Sequence, residues 1–160
     1  MLSAALLLGV AAPRAASSQT VCNGPGSCPV TATSTVNSVA RLTVTSTTTT
    51  LTAPKAVNFG AAAGVTTTGP TVTVMSNTGY TLTASAGTAT WSGPPGTTKP
   101  ASDLKMKVDA GSIVPLGRVG SATAGTASAP YAITYNTVYG FTTDKPGTYT
   151  LVVNYTLTAP

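Results

Sequence analysis

The sequence predicts an all-β chain whose body is an immunoglobulin-like Greek-key β-sandwich of about seven strands. Apolar residues recur at every second position through most of the chain, and no sustained 3.6-residue period appears. Turn signals built from Gly, Pro, Asn and Asp return about every ten residues, the rhythm of a sandwich of short strands. About one residue in five is Thr and charged residues make up 7%. The faces that do not enter a core are therefore β-branched and neutral, which suits strands and disfavours disorder. A closed barrel is the alternative packing for the same pattern.

The first segment is an address rather than an element. Residues 2–12 form a short apolar run followed by small residues, as in the hydrophobic stretch and cleavage region of a secretory signal peptide. The run is too short to span a bilayer. The organisation expected is a signal peptide over residues 1–18, an N-terminal segment over 19–38 and the β-sandwich over 39–160. In the N-terminal segment Cys22 and Cys28 enclose Asn, Gly, Pro, Gly and Ser. In an exported chain that turn-rich loop predicts a structural disulfide, whereas a redox site would need two residues between the cysteines and a depressed pKa.

Residues 39–51 carry Leu42 and Val44 in phase and predict a strand that ends before Pro54. Val72 and Val74, then Tyr80, Leu82 and Ala84, flank Ser76, Asn77, Thr78 and Gly79. Because Asn and Gly tolerate positive φ, this reads as a hairpin. Gly93, Pro94, Pro95 and Gly96 mark a loop. Leu104, Met106 and Val108 alternate with Asp103, Lys105, Lys107 and Asp109, a strand with a charged outer face that guards against edge pairing. Residues 120–130 read as a small-residue loop. Tyr131, Ile133, Tyr135, Tyr139 and Phe141 lie in phase on the next strand. A turn at Asp144, Lys145, Pro146 and Gly147 is expected to fold it into a C-terminal hairpin. In its second arm Tyr149, Leu151, Val153, Tyr155 and Leu157 form one apolar face, expected to line the core from a central or near-central strand, with the mostly Thr residues between them exposed.

Composition closes off most catalysis. The chain has no His, and its three carboxylates are Asp103, Asp109 and Asp144. A Ser/His/Asp relay has no base and a His-built zinc site is impossible. Asp103 and Asp109, on one short strand, are about 20 Å apart at ~3.3 Å per residue, too far for paired glycosidase carboxyls. The chain is read as a non-enzyme with no cofactor. The formal charge of +5 falls to +4 once Arg14 leaves with the leader. It is spread along the chain, with Lys105 and Lys107 the nearest approach to a cluster, so nucleic acid is not an expected partner. Loose attraction to anionic cell-surface polymers is compatible with it.

Val57, Asn58, Phe59 and Gly60, then the run Val72, Thr73, Val74 leading to Tyr80, Thr81, Leu82, and the closing Pro146, Gly147, Thr148, Tyr149 before an alternating strand, resemble the spore coat protein U and fimbrial-subunit group of secreted bacterial β-sandwich proteins. The resemblance extends over about residues 55–160. The core-strand cysteines usual in that group are absent, and Ala159 stands where usher-assembled pilins carry an aromatic residue. The resemblance implies a structural subunit of a surface appendage or coat. The expected function is a non-catalytic module, secreted, periplasmic or on the cell surface, with other copies or surface subunits as partners through strand pairing. The alternative is a carbohydrate-binding module contacting cell-surface polysaccharide through Trp91, since apolar sugar faces stack on aromatic rings. Residues 30–44 carry Val30, Val36, Val39, Leu42 and Val44 among Thr and Ser. They are either the first strand of the domain itself, the preferred reading, or a strand donated to a neighbour's open edge.

Overall fold

The computed structural model describes residues 24–27, 31–123 and 129–160, and the chain divides into two units, Met1–Thr35 and Val36–Pro160. In the first unit, residues 24–27 and 31–35 are exposed and form neither helix nor strand. The expected signal peptide, Cys22 and Cys28 lie outside the described residues. No helix among the described residues is long and apolar enough to cross a membrane.

The second unit is an all-β sandwich of two antiparallel sheets. Its strands are β1 (Ala40–Val44), β2 (Val65–Ser76), β3 (Tyr80–Ala86), β4 (Leu104–Val108), β5 (Val114–Pro115), β6 (Arg118–Ala122), β7 (Ala129–Thr137) and β8 (Val153–Thr158). One sheet has the order β1-β2-β7-β4-β5 and the other β6-β3-β8. Alternation dictates what faces inward. Val72 and Val74 of β2, Leu82 and Ala84 of β3, Leu104 and Met106 of β4, Val119 of β6 and Ile133 and Tyr135 of β7 make one buried cluster between the sheets. Each buried Val, Leu or Ile contributes roughly 1.5–3 kcal/mol relative to exposure. The Thr positions between them on β2 and β3 are exposed or half-buried.

Both expected hairpins are corrected by the topology. β2 and β3 stand in different sheets, so the turn at residues 77–79 is an arch across the core. Val72 and Val74 face Leu82 and Tyr80 through the interior, where in a hairpin they would be neighbours in one sheet. Asn77 is bound to the segment entering β1: its backbone N–H donates to the Val39 carbonyl, and the Val39 N–H donates to Asn77 Oδ1 at 2.7 Å. These bonds extend the β1–β2 pairing beyond Ser76, and the chain turns there as Ser76 Oγ accepts from the Thr78 N–H at 3.2 Å, a hydroxyl-capped turn. β7 and β8 are likewise in different sheets, and their contact across the core is a hydroxyl pair, Tyr135 with Tyr155 at 2.8 Å.

β8 has the expected register. Val153, Tyr155 and Leu157 are half-buried and Asn154, Thr156 and Thr158 exposed, while upstream Tyr149 and Leu151 are half-buried and Thr150 and Val152 exposed. Its position differs from the expectation, for β8 is the edge of the three-stranded sheet and β3 its centre. The first strand is shorter than expected, ending at Val44. Lys105 and Lys107 are half-buried on the outer face of β4, which is flanked by β7 and by the two-residue β5.

The loop expected over residues 120–130 is shorter than that, for β6 runs to Ala122 and β7 begins at Ala129. β6 is held by its pairing to β3 and buries a single apolar residue, Val119. Gly120 at its centre lies under the ring of Tyr131, where a Cβ would overlap the phenol. Gly120→Ala is expected to destabilise the domain by about 1–3 kcal/mol through overpacking, measurable as a lowered thermal midpoint, with Tyr131→Ala restoring part of the loss.

Candidate functional site

The sandwich is open along one side. Among the described residues, β1 pairs with β2 alone and β8 with β3 alone, so each sheet ends there in an unpaired edge. Between the edges runs a groove of about 990 Å³. Leu42 and Val44 of β1 and Leu51 beyond it form one wall, and Tyr149, Leu151, Val153 and Tyr155 form the other. Each is packed against the core yet only partly buried. The inward faces of both edge strands are therefore apolar in sequence and lack a covering layer. Free edges are normally blunted by charge, Pro or a bulge. None of β1's or β8's residues is acidic, and the single basic one, Arg41, points to the exposed face.

The floor carries phenols. Tyr135 and Tyr155 share their hydroxyl bond, and Tyr80 and Tyr131 make another at 2.9 Å elsewhere in the core. Burial pushes the Tyr135, Tyr139 and Tyr155 phenols above their ordinary value of 10.0, and for Tyr155 the bond to Tyr135 adds to burial. Burial first and the Tyr131 bond second push Tyr80 up to about 12. The folded state holds these protons more tightly than the unfolded chain, so this stabilisation is complete below pH 10 and is lost as pH rises through the folded-state values. Stability is expected to decline from about pH 10 upward, with phenolate absorbance rising in step with unfolding in an alkaline titration. Ionisation of all six tyrosines near pH 10 while the fold persisted would contradict it.

At one end of the groove lies a buried charge cluster. Lys99 is 1% exposed. Its Nζ donates to Asp144 Oδ2 at 3.0 Å, Asp103 Oδ2 at 3.1 Å and the Val138 carbonyl at 2.6 Å, and stands 4.7 Å from the ring centre of Tyr139. The short 3₁₀ turn Ala101–Asp103 brings Asp103 back beneath Lys99. Asp144 Oδ2 also accepts from the Gly140 N–H at 2.8 Å. Phe59 and Phe141 stack at 4.9 Å, and Phe59 lies 5.9 Å from the Tyr139 ring.

Trp91, the residue proposed from sequence for sugar contact, is 7% exposed and belongs to the core cluster. Its indole N–H donates to the Pro100 carbonyl at 3.1 Å. Its ring borders the groove from within and presents no open platform. Asp103 is brought to Asp144 through Lys99, while Asp109 lies elsewhere, accepting from the Ala132 N–H at 2.9 Å. Among the described residues no three His, Cys, Asp or Glu side chains come together as a metal site. Sequence reasoning passed over both the groove and the Lys99 cluster. The one local signal for the cluster was the Lys99 and Asp103 spacing of four residues. No protein-family profile, curated protein or solved structure matches the chain.

Proposed function

We propose that the protein is a non-catalytic structural subunit of the bacterial exterior that assembles by accepting a β-strand from another copy into the groove between β1 and β8. The observation that carries this is the coincidence of two unpaired edges with an uncovered apolar floor. An added strand would pair its backbone with an edge and set alternate side chains into the groove, the two requirements of strand addition. The proposed donor is the segment before β1. Residues 31–39 are exposed and form no strand, and Val36 and Val39 are 81% and 63% exposed. In the sequence Val30, Ala32 and Val36 fall at even positions among Thr and Ser, so one face of an extended donor would be apolar. Residues 40–44 serve the chain's own sheet, as the preferred reading of that segment has it, which leaves only the part upstream for donation. Export, supported by the apolar run at residues 2–12 and by the cysteine pair, belongs to the same proposal, as does the Cys22–Cys28 disulfide.

Deletion of residues 19–38 tests the reading. The truncated chain is expected to stay folded and monomeric while the mature chain forms concentration-dependent polymers visible by electron microscopy. Polymers of equal length from the truncated chain would refute the donor assignment, and a mature chain monomeric at every concentration would refute the function.

A further inference from the structure

We propose that Lys99 and Asp144 condense to an intramolecular amide, with Asp103 as the proton carrier, so that the mature domain carries a covalent cross-link in addition to any disulfide. An amine and a carboxyl held in contact inside a fold react as one molecule, and the entropic barrier to their encounter is already met. Here the pair is shielded: Lys99 is 1% exposed and the Asp144 side chain 4%. The two oxygens of Asp144 differ in the way the reaction needs. Oδ2 accepts from the Gly140 N–H and is suited to remain as the amide carbonyl, polarised by that donor as charge develops on it. Oδ1 is buried without a hydrogen-bond partner, a costly state for a carboxylate oxygen. It is the oxygen that would leave.

The step balances within the cluster. A proton passes from the Lys99 ammonium by way of Asp103 to Oδ1 of Asp144, giving a neutral amine and a carboxylic acid whose hydroxyl is Oδ1. The Nζ lone pair attacks Cγ of Asp144, and Asp103 Oδ2, 3.1 Å from Nζ, takes a second amine proton. Asp103 returns that proton to the departing Oδ1 hydroxyl, which leaves as water. The remaining N–H keeps its acceptor in the Val138 carbonyl. Two buried charges and one orphaned oxygen are replaced by a neutral amide with both groups bonded. The link would join residues 45 positions apart and tie the approach to β4 to the loop before β8, the edge strand that borders the groove.

The test is mass spectrometry of the exported full chain, reduced and denatured, with its N-terminus read from the same digest. The expected mass is lower than the sequence requires by one water, and the digest contains a fragment joining the Lys99 segment to the Asp144 segment. Asp144→Asn should form the same link with loss of ammonia in place of water, and Asp103→Asn should leave most chains unlinked. A wild-type chain at full mass overturns the proposal. So does a water loss confined to the Asp144 segment, which marks a cyclic imide. A linked Asp103→Asn chain overturns the role given to Asp103, and should that variant fail to fold, the ammonia signature of Asp144→Asn still decides the cross-link.

Discussion

Replacing Lys99 by Met is expected to lower the unfolding free energy by about 3–5 kcal/mol, the range for removing one member of a buried ion cluster. Met fills much of the same volume, so the loss comes mainly from electrostatics and bonding. Asp144, 4% exposed at its side chain, would retain only the Gly140 N–H as donor, and Asp103 and the Val138 carbonyl would each lose theirs. Two carboxylates would then face each other without the cation between them, so the penalty is that of uncompensated buried charge. Urea unfolding followed by Trp91 fluorescence measures it. The loss should exceed this range where the amide has formed, so the melt and the mass are read on the same preparation. A variant within 1 kcal/mol of wild type, a cost typical of exposed pairs, would show that the cluster is solvated and the burial assigned to it wrong.

Val153→Lys should abolish assembly while sparing the fold. Val153 is half-buried on β8, pairs with Ala86 and lines the groove. In the open groove the lysine stem can lie along the apolar wall and carry its ammonium out to water, so the monomer should lose no more than about 1 kcal/mol. A strand seated over that position would bury the ammonium without a partner, at a cost of several kcal/mol. Since 1.4 kcal/mol is a factor of ten in an equilibrium constant, polymer yield is expected to fall at least a hundredfold. Sedimentation velocity of wild type and variant at matched concentrations reads it. Polymers of undiminished size from a folded Val153→Lys chain would place the contact elsewhere.

What the sequence made legible was periodicity and its phase. The alternation from Tyr149 to Leu157 assigned each side chain to the correct face because a one-residue slip would have turned every Thr inward. The same signal says nothing about which strand lies alongside. A turn such as residues 76–79 joins two alternating segments equally well within a sheet or across a core, and the choice is made by tertiary contacts such as Asn77 to Val39. β5 and β6 were illegible for another reason. Their residues are Val114 and Pro115, then Arg118, Val119, Gly120, Ser121 and Ala122, of which only Val119 is buried, and they are strands because β3 and β4 offer ladder positions to them. The groove is a property of two edges far apart in sequence, and Lys99 meets Asp144 across four intervening strands, so neither leaves a local pattern.

Backbone amide hydrogen exchange in assembled and monomeric material tests the strand-accepting groove most directly. In the monomer, the outward amides of at least one of Ala40–Val44 and Val153–Thr158 face an unpaired edge and should exchange rapidly. In polymers that edge is predicted to become strongly protected, together with the donor amides within residues 19–38. Polymers in which both edges exchange as fast as in the monomer would contradict strand acceptance at this groove.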